Sequence, residues 1–119
     1  MDIISINKQI TENVLLLRKT RDMLRLRAED KANANGEYEK AVAITMINLK
    51  NGKVALLDGK EISYPSATGL EKIAKGVCYK ESIAKDIAES NYKNAVYALQ
   101  STQAIINALQ SMLRYTDEN

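Results

Sequence analysis

The chain contains no histidine, no tryptophan and no phenylalanine, and only one cysteine and one proline. Without histidine, and with Cys78 alone, no zinc site of the usual composition forms within one chain. The same absence removes Ser–His and Cys–His nucleophile pairs. The five glycines never fall into G-x-G-x-x-G or G-x-x-x-x-G-K-[ST] spacing, so no phosphate loop is present. Acidic neighbours such as Glu37/Glu39 and Glu29/Asp30 point to different sides of a helix and do not converge. These gaps predict a protein that is not an enzyme and takes no metal or cofactor. A single thiol makes no internal disulfide, which fits a reducing compartment; between Val77 and Tyr79 it reads as a small buried apolar residue. No run approaches the roughly 18 uninterrupted apolar residues of a membrane span. The start, MDIISINKQ, lacks a basic segment followed by an apolar one, so neither a signal peptide nor a membrane partner is expected.

Six tyrosines are the only aromatic residues. A compact globule usually centres on several large rings. Interfaces of Leu, Ile, Val and Ala point instead to helical hairpins and coiled coils. The clearest such stretch is Lys80 to Tyr115, which has neither Gly nor Pro. Ala88, Tyr92, Ala95, Leu99, Thr102, Ile106, Leu109 and Leu113 step by fours and threes, a heptad seam on a helix roughly 50 Å long. Such a stripe needs a partner. The rest of the chain supplies one, and further copies of the chain are expected to supply more.

The 119 residues suit one domain, 1–119. A first helix is expected over about 5–50, with Ser5 as its cap and a possible break near Gly36. Ile3, Ile10, Leu17 and Leu24 recur at sevens, with Ile6, Val14 and Ala28 between them. Val14 to Leu17 is apolar all round, a sign of more than one neighbour. Asn51-Gly52 ends the helix. Residues 51–66 form the apex, where Asp58-Gly59 between two apolar runs signals a β-hairpin. Ser66 then caps a short helix, 67–76, which Gly76 ends or kinks, and the long helix spans 77–115. The expected fold is all-α: an antiparallel, coiled-coil-like long-helix hairpin with a short β-hairpin or irregular apex, assembling into a homo-oligomer. Leu17, Leu24, Ala95, Leu99, Ile106, Leu109 and Leu113 are the expected interface residues.

The net charge of +2 is too balanced to imply a polyanion partner by itself. Its distribution says more. Residues 18–31 hold six basic residues against three acidic, and residues 50–85 seven lysines against four acidic. Arg18, Arg21 and Arg25 share one side of a helix, as a ladder that pairs with successive phosphates. The more ordinary reading is a solvated face with local ion pairs, such as Asp22 with Arg18 or Arg25. Tyr38, Tyr92 and Tyr97 read as core or interface residues. Tyr64 and Tyr79, among lysines, stay open between packing and base stacking.

One resemblance adds to this. Tyr38, Ala41 and Ala43 precede Leu49-Lys50-Asn51-Gly52. An irregular connection follows. Then comes S-A-T-x-L-E-K…K-G-V…E-S-x-A-K-D-I-A-E-S-x-Y-K-x-A…L-Q-S-x-Q-x-I-I-N-A-L-Q-S-M-L-R, from Ser66 to Arg114. Over about residues 10–115 the layout resembles small helical proteins of bacteriophage replication and recombination regions. It is similar in plan to the phage recombination-mediator family, which loads a recombinase onto single-stranded DNA. The resemblance implies homo-oligomers in the cytoplasm of a bacterial host. It also implies a recombinase or single-strand-binding protein as partner, and single-stranded DNA bound through Arg18, Lys19, Arg21, Arg25 and Arg27 with Lys72, Lys75 and Lys80. Two other readings stay open. One is a helical adaptor or inhibitor of a host protein, including an anti-defence factor; the other is a virion structural or assembly protein.

Overall fold

Asp2 starts the first helix. Its Oδ1 accepts the Ser5 amide at 2.7 Å, and its carbonyl accepts the Ile6 amide at 3.0 Å. A carboxylate there satisfies an orphan amide and sets negative charge against the positive end of the helix dipole. The cap is therefore Asp2, three residues ahead of the expected Ser5. The computed structural model describes residues 2–118. Met1 and Asn119, the two ends of the expected 1–119 domain, lie outside the described residues.

Helix α1 spans Ile3–Lys50 without interruption. The break considered at Gly36 does not occur, and magnitudes explain why. A mid-helix Gly costs about 1 kcal/mol relative to Ala. Beyond it, helical phase alone keeps Tyr38, Ala41, Val42, Met46 and Leu49 on their packed side. Burying each large apolar side chain is worth roughly 1.5–3 kcal/mol. The end of α1 is well made: Gly52 takes φ +85°, the Lys53 amide donates to the Asn48 carbonyl at 2.9 Å, and the Gly52 amide to the Leu49 carbonyl at 3.1 Å. These paired bonds form a Schellman motif.

Strands β1 (Ala55–Leu57) and β2 (Lys60–Ile62) pair antiparallel, with Leu56 opposite Glu61. Asp58 and Gly59 join them at φ +49° and +82°, the positive-φ two-residue loop that matches right-handed strand twist. Helix α2 covers Leu70–Val77. Ser66 does not cap a helix at Ala67: its Oγ accepts the Gly69 amide at 3.1 Å and closes a turn ahead of α2. Gly76 lies inside α2, which ends one residue later. Cys78 links α2 to α3 (Tyr79–Glu118), donating its amide to Ala74 and accepting the Ser82 amide.

The chain divides into two compact units. One holds residues 30–89. Its core is Val42, Ala74 and Cys78, with Tyr38, Ala41 and Met46 packed against them. Thr45 Oγ1 lies 3.4 Å from Cys78 Sγ, and the Lys85 ammonium lies 4.9 Å from the Tyr38 ring centre. Moving forward from 38 to 45 on one side thus moves back from 85 to 78 on the other, so the facing segments of this unit run antiparallel. The other unit joins α1 up to Glu29 with α3 from Ser90 onward. Its buried residues are Ile6, Ala95, Thr102, Ile106 and Leu109.

Both long helices are covered along heptad seams. On α1 the covered positions include 6, 10, 13, 17, 20, 24, 27, 31, 34, 38, 41, 45 and 48. On α3 they include 85, 88, 92, 95, 99, 102, 106, 109, 113 and 116, which contains every expected seam residue. On α1 one edge of the seam differs from expectation. It is formed by Asn13, Thr20 and Arg27, while Ala28 is exposed and Val14 sits beside the seam, half-buried. Polar side chains tolerate this place because they bond back to their own helix. Asn13 Nδ2 donates to the Gln9 carbonyl at 2.8 Å, Thr20 Oγ1 to Leu16 at 2.8 Å and Thr102 Oγ1 to Ala98 at 2.9 Å. Among the described residues, no buried side-chain nitrogen or oxygen lacks a partner.

The two α1 glycines should respond oppositely to alanine. A Cβ on Gly36 meets nothing within 4 Å, whereas Gly52 is held at positive φ. Gly36→Ala should stabilise by about 0.5–1 kcal/mol and Gly52→Ala destabilise by about 1 kcal/mol. Thermal melts followed by circular dichroism would check this; a lower Tm for Gly36→Ala would show that α1 is not continuous in solution.

Candidate nucleic-acid interface

A helical step of 100° per residue places the basic residues of α1 around its seam. Leu17 and Leu24 form one edge of the seam, and Thr20 and Arg27 the other. Arg21 flanks the leucine edge, and Arg18 and Arg25 lie next outward on that side; all three are exposed. Among the described residues none of them makes a hydrogen bond or ion pair. In particular, Asp22 is not paired with Arg18 or Arg25, the local pairing a merely solvated face would show. Lys19 projects on the other side of α1, beyond the Thr20/Arg27 edge, next to Leu16, Met23 and Leu26. Arg27 is half-buried on the seam itself and already engaged. The five expected basic positions therefore divide: three form a ladder, one lies apart and one is structural.

Sequence reasoning missed the corresponding flank of α3. Gln100, Gln103, Asn107, Gln110 and Arg114 recur at threes and fours beside the Leu99/Ile106 edge, and all are exposed. The same spacing that revealed the seam would have revealed this amide row.

In the unit of residues 30–89, Lys72, Lys75 and Lys80 are exposed. Lys75 Nζ pairs with Glu71 Oε1 at 3.0 Å, and this hydrogen bond and charge hold the Lys75 ammonium above its ordinary pKa. Its charge is thus partly spent locally. Tyr79, left open between stacking and packing, is a structural tie. Its hydroxyl donates to Asp58 Oδ1 at 2.8 Å, fastening the hairpin loop to the start of α3. A groove of about 250 Å³ lies there, lined by Leu57, Asp58, Tyr79 and Lys80 among others. A second groove, about 310 Å³, runs between Tyr38, Val42 and Met46 on α1 and Glu71 and Lys75 on α2. Tyr64 is exposed, Tyr38 and Tyr92 are half-buried, and Tyr97, expected in a core or at an interface, is 65% exposed and so outside the core of the chain.

No protein-family model, no curated protein and no solved structure matches this chain. Its chemistry must be read from its own residues. Among the described residues no cluster of three or more His, Cys, Asp or Glu is placed to hold a metal, and no helix is long and apolar enough to cross a membrane. The residues expected at an interface between copies are covered within one chain: Ala95, Ile106 and Leu109 are buried, and Leu17, Leu24, Leu99 and Leu113 half-buried.

The Tyr79–Asp58 bond raises the Tyr79 phenol above the ordinary tyrosine value of 10.0. A raised acid of this kind adds stability that is fully present below that value and is lost as pH rises through the raised one. In an ultraviolet absorbance titration, Tyr79→Phe should delete the component that titrates above the ordinary tyrosine range. Deletion of an ordinary component instead would show that the tie does not hold in solution.

Proposed function

We propose that this chain is a non-enzymatic accessory protein that holds single-stranded nucleic acid along the arginine flank of α1. The observation that carries the reading is the ladder Arg18, Arg21, Arg25, exposed on one side and, among the described residues, free of local ion pairs. Guanidinium groups bind phosphate as planar multi-donor forks. An unpaired arginine gives up no existing partner when it does so. If α1 and α3 run antiparallel in this unit as well, flanks beside corresponding seam edges fall on one side. Gln100, Gln103, Asn107, Gln110 and Arg114 then border the arginine ladder, adding amide donors and acceptors for sugar and base edges. The recombination-mediator resemblance adds the protein partners: a recombinase or a single-strand-binding protein handed the strand from this surface, and further copies of the chain. Lys72 and Lys80 are secondary phosphate contacts; Arg27 and Lys75, already engaged, contribute less.

The expected affinity is modest and steeply salt-dependent. Three phosphate contacts on a single strand give a slope of about −2 in log K against log salt. Fluorescence anisotropy with a labelled single-stranded oligonucleotide should show binding at low salt that is lost at high salt. Arg21→Glu with Arg25→Glu should weaken it at least tenfold, whereas Arg27→Gln and Lys75→Gln should each cost less. No binding at low salt by a fully helical protein would overturn the reading.

A further inference from the structure

The longest uncharged run of the chain is Asn94 to Leu113, twenty residues of α3 without an Asp, Glu, Lys or Arg. Its seam residues explain only part of that run. On the side away from the amide row, a second line passes through Asn94, Tyr97, Ala98, Ser101, Ile105, Ala108, Met112 and Tyr115. Its four large members are 40% to 71% exposed. A helix face left to water normally carries charge and few large apolar groups. We propose that this face is a two-fold interface with a second copy of the same chain, α3 against α3, with Ile105 at the centre.

Three observations select a second copy as the occupant. The first is area. Leu16, Met23 and Leu26 of α1 lie beyond the Thr20/Arg27 edge of its seam. Ile105 and Met112 lie beyond the corresponding Thr102/Leu109 edge of α3. In an antiparallel helix pair these flanks share one side of the hairpin. Together with Tyr97 and Tyr115 the seven residues are 40% to 71% exposed, on the order of 700 Å² in all, close to the about 800 Å² per partner of a stable interface and above the roughly 300–600 Å² of the largest patch on a typical monomer.

The second is charge. Along this side of the hairpin unit the charged residues are Lys8, Glu12 and Lys19, a net of +1. So sparse a charge gives a strongly charged partner little to bind and costs little where two copies meet. The third is shape. The α3 line is small or slender at Asn94, Ala98, Ser101 and Ala108, and large at Tyr97, Met112 and Tyr115. An antiparallel two-fold through Ile105 brings Ala98 level with the partner's Met112, and sets Ser101 and Asn94 within one residue of level with the partner's Ala108 and the partner's Tyr115. Large meets small where Ala98 faces the partner's Met112 and Asn94 the partner's Tyr115, and the interface is isologous. The same arrangement leaves the arginine flank of each copy facing outward. The proposal does not rest on the nucleic-acid reading.

Size-exclusion chromatography with light scattering tests it on the full chain at tens of micromolar, at high salt and without nucleic acid, so that failed strand binding does not affect the result. The wild type should show twice the 13.3 kDa of one chain. Ile105→Glu should halve that mass with its helical circular dichroism unchanged; should it fail to fold, Met112→Glu takes its place. Under mild oxidation Ile105→Cys should cross-link as a dimer, and Asn107→Cys, on the amide row, should not. A monomeric wild type overturns the proposal. So does a dimer that survives both charged substitutions, or an Ile105→Cys that cross-links no faster than Asn107→Cys.

Discussion

Everything in this protein depends on two helices covering each other along heptad stripes. Each stripe is narrow, and in the unit that lacks α2 neither helix has another element to hide it. Isolated helices gain little from propensity alone, so packing supplies the stability. The seam is also not fully apolar. Asn13, Thr20 and Thr102 lie on it because each bonds back to a carbonyl one turn earlier in its own helix. This removes the cost of an unsatisfied polar atom without demanding a partner across the seam. Such residues hold the helices less strongly than leucine would, and they spread the stability along the contact.

The unit of residues 30–89 adds what a lone helix pair lacks. Helix α2 lays Ala74 and, at its end, Cys78 against Val42. The hairpin is joined to α3 through Asp58 and Tyr79. Small residues here permit close approach, and the lone cysteine serves as one of them, 3% exposed. The other unit has no third element and keeps two unlike flanks: arginines and amides on one, neutral apolar groups on the other. Both proposals draw on that difference.

Much of this was legible in the sequence, and the misses have physical causes. The α3 seam and the Asp58-Gly59 turn follow from periodicity and from the positive-φ requirement of a two-residue loop. The start of α1 was misplaced because Asp2 and Ser5 both make good caps, and only geometry shows which one takes the amide. One edge of the α1 seam was misread because a search for apolar residues passes over Asn, Thr and Arg. Composition left Tyr97 between core and interface, and its helical phase takes it out of the core. Arg18, Arg21 and Arg25 were legible as a ladder, but their freedom from Asp22 was not, since spacing permits the pair and rotamers decide it.

The sequence by itself determined the helices, the turn between the strands and the seam of α3, because these follow from local bonding, steric limits and period. It also contained the charge-free run of α3. Only the tertiary structure decided which apolar residues the chain spends on itself and which it leaves over. Leucines at 17 and 24 are covered while leucines at 16 and 26 stand exposed. Hydrophobicity is identical for all four, and what separates them is their angle to a partner helix distant in the chain.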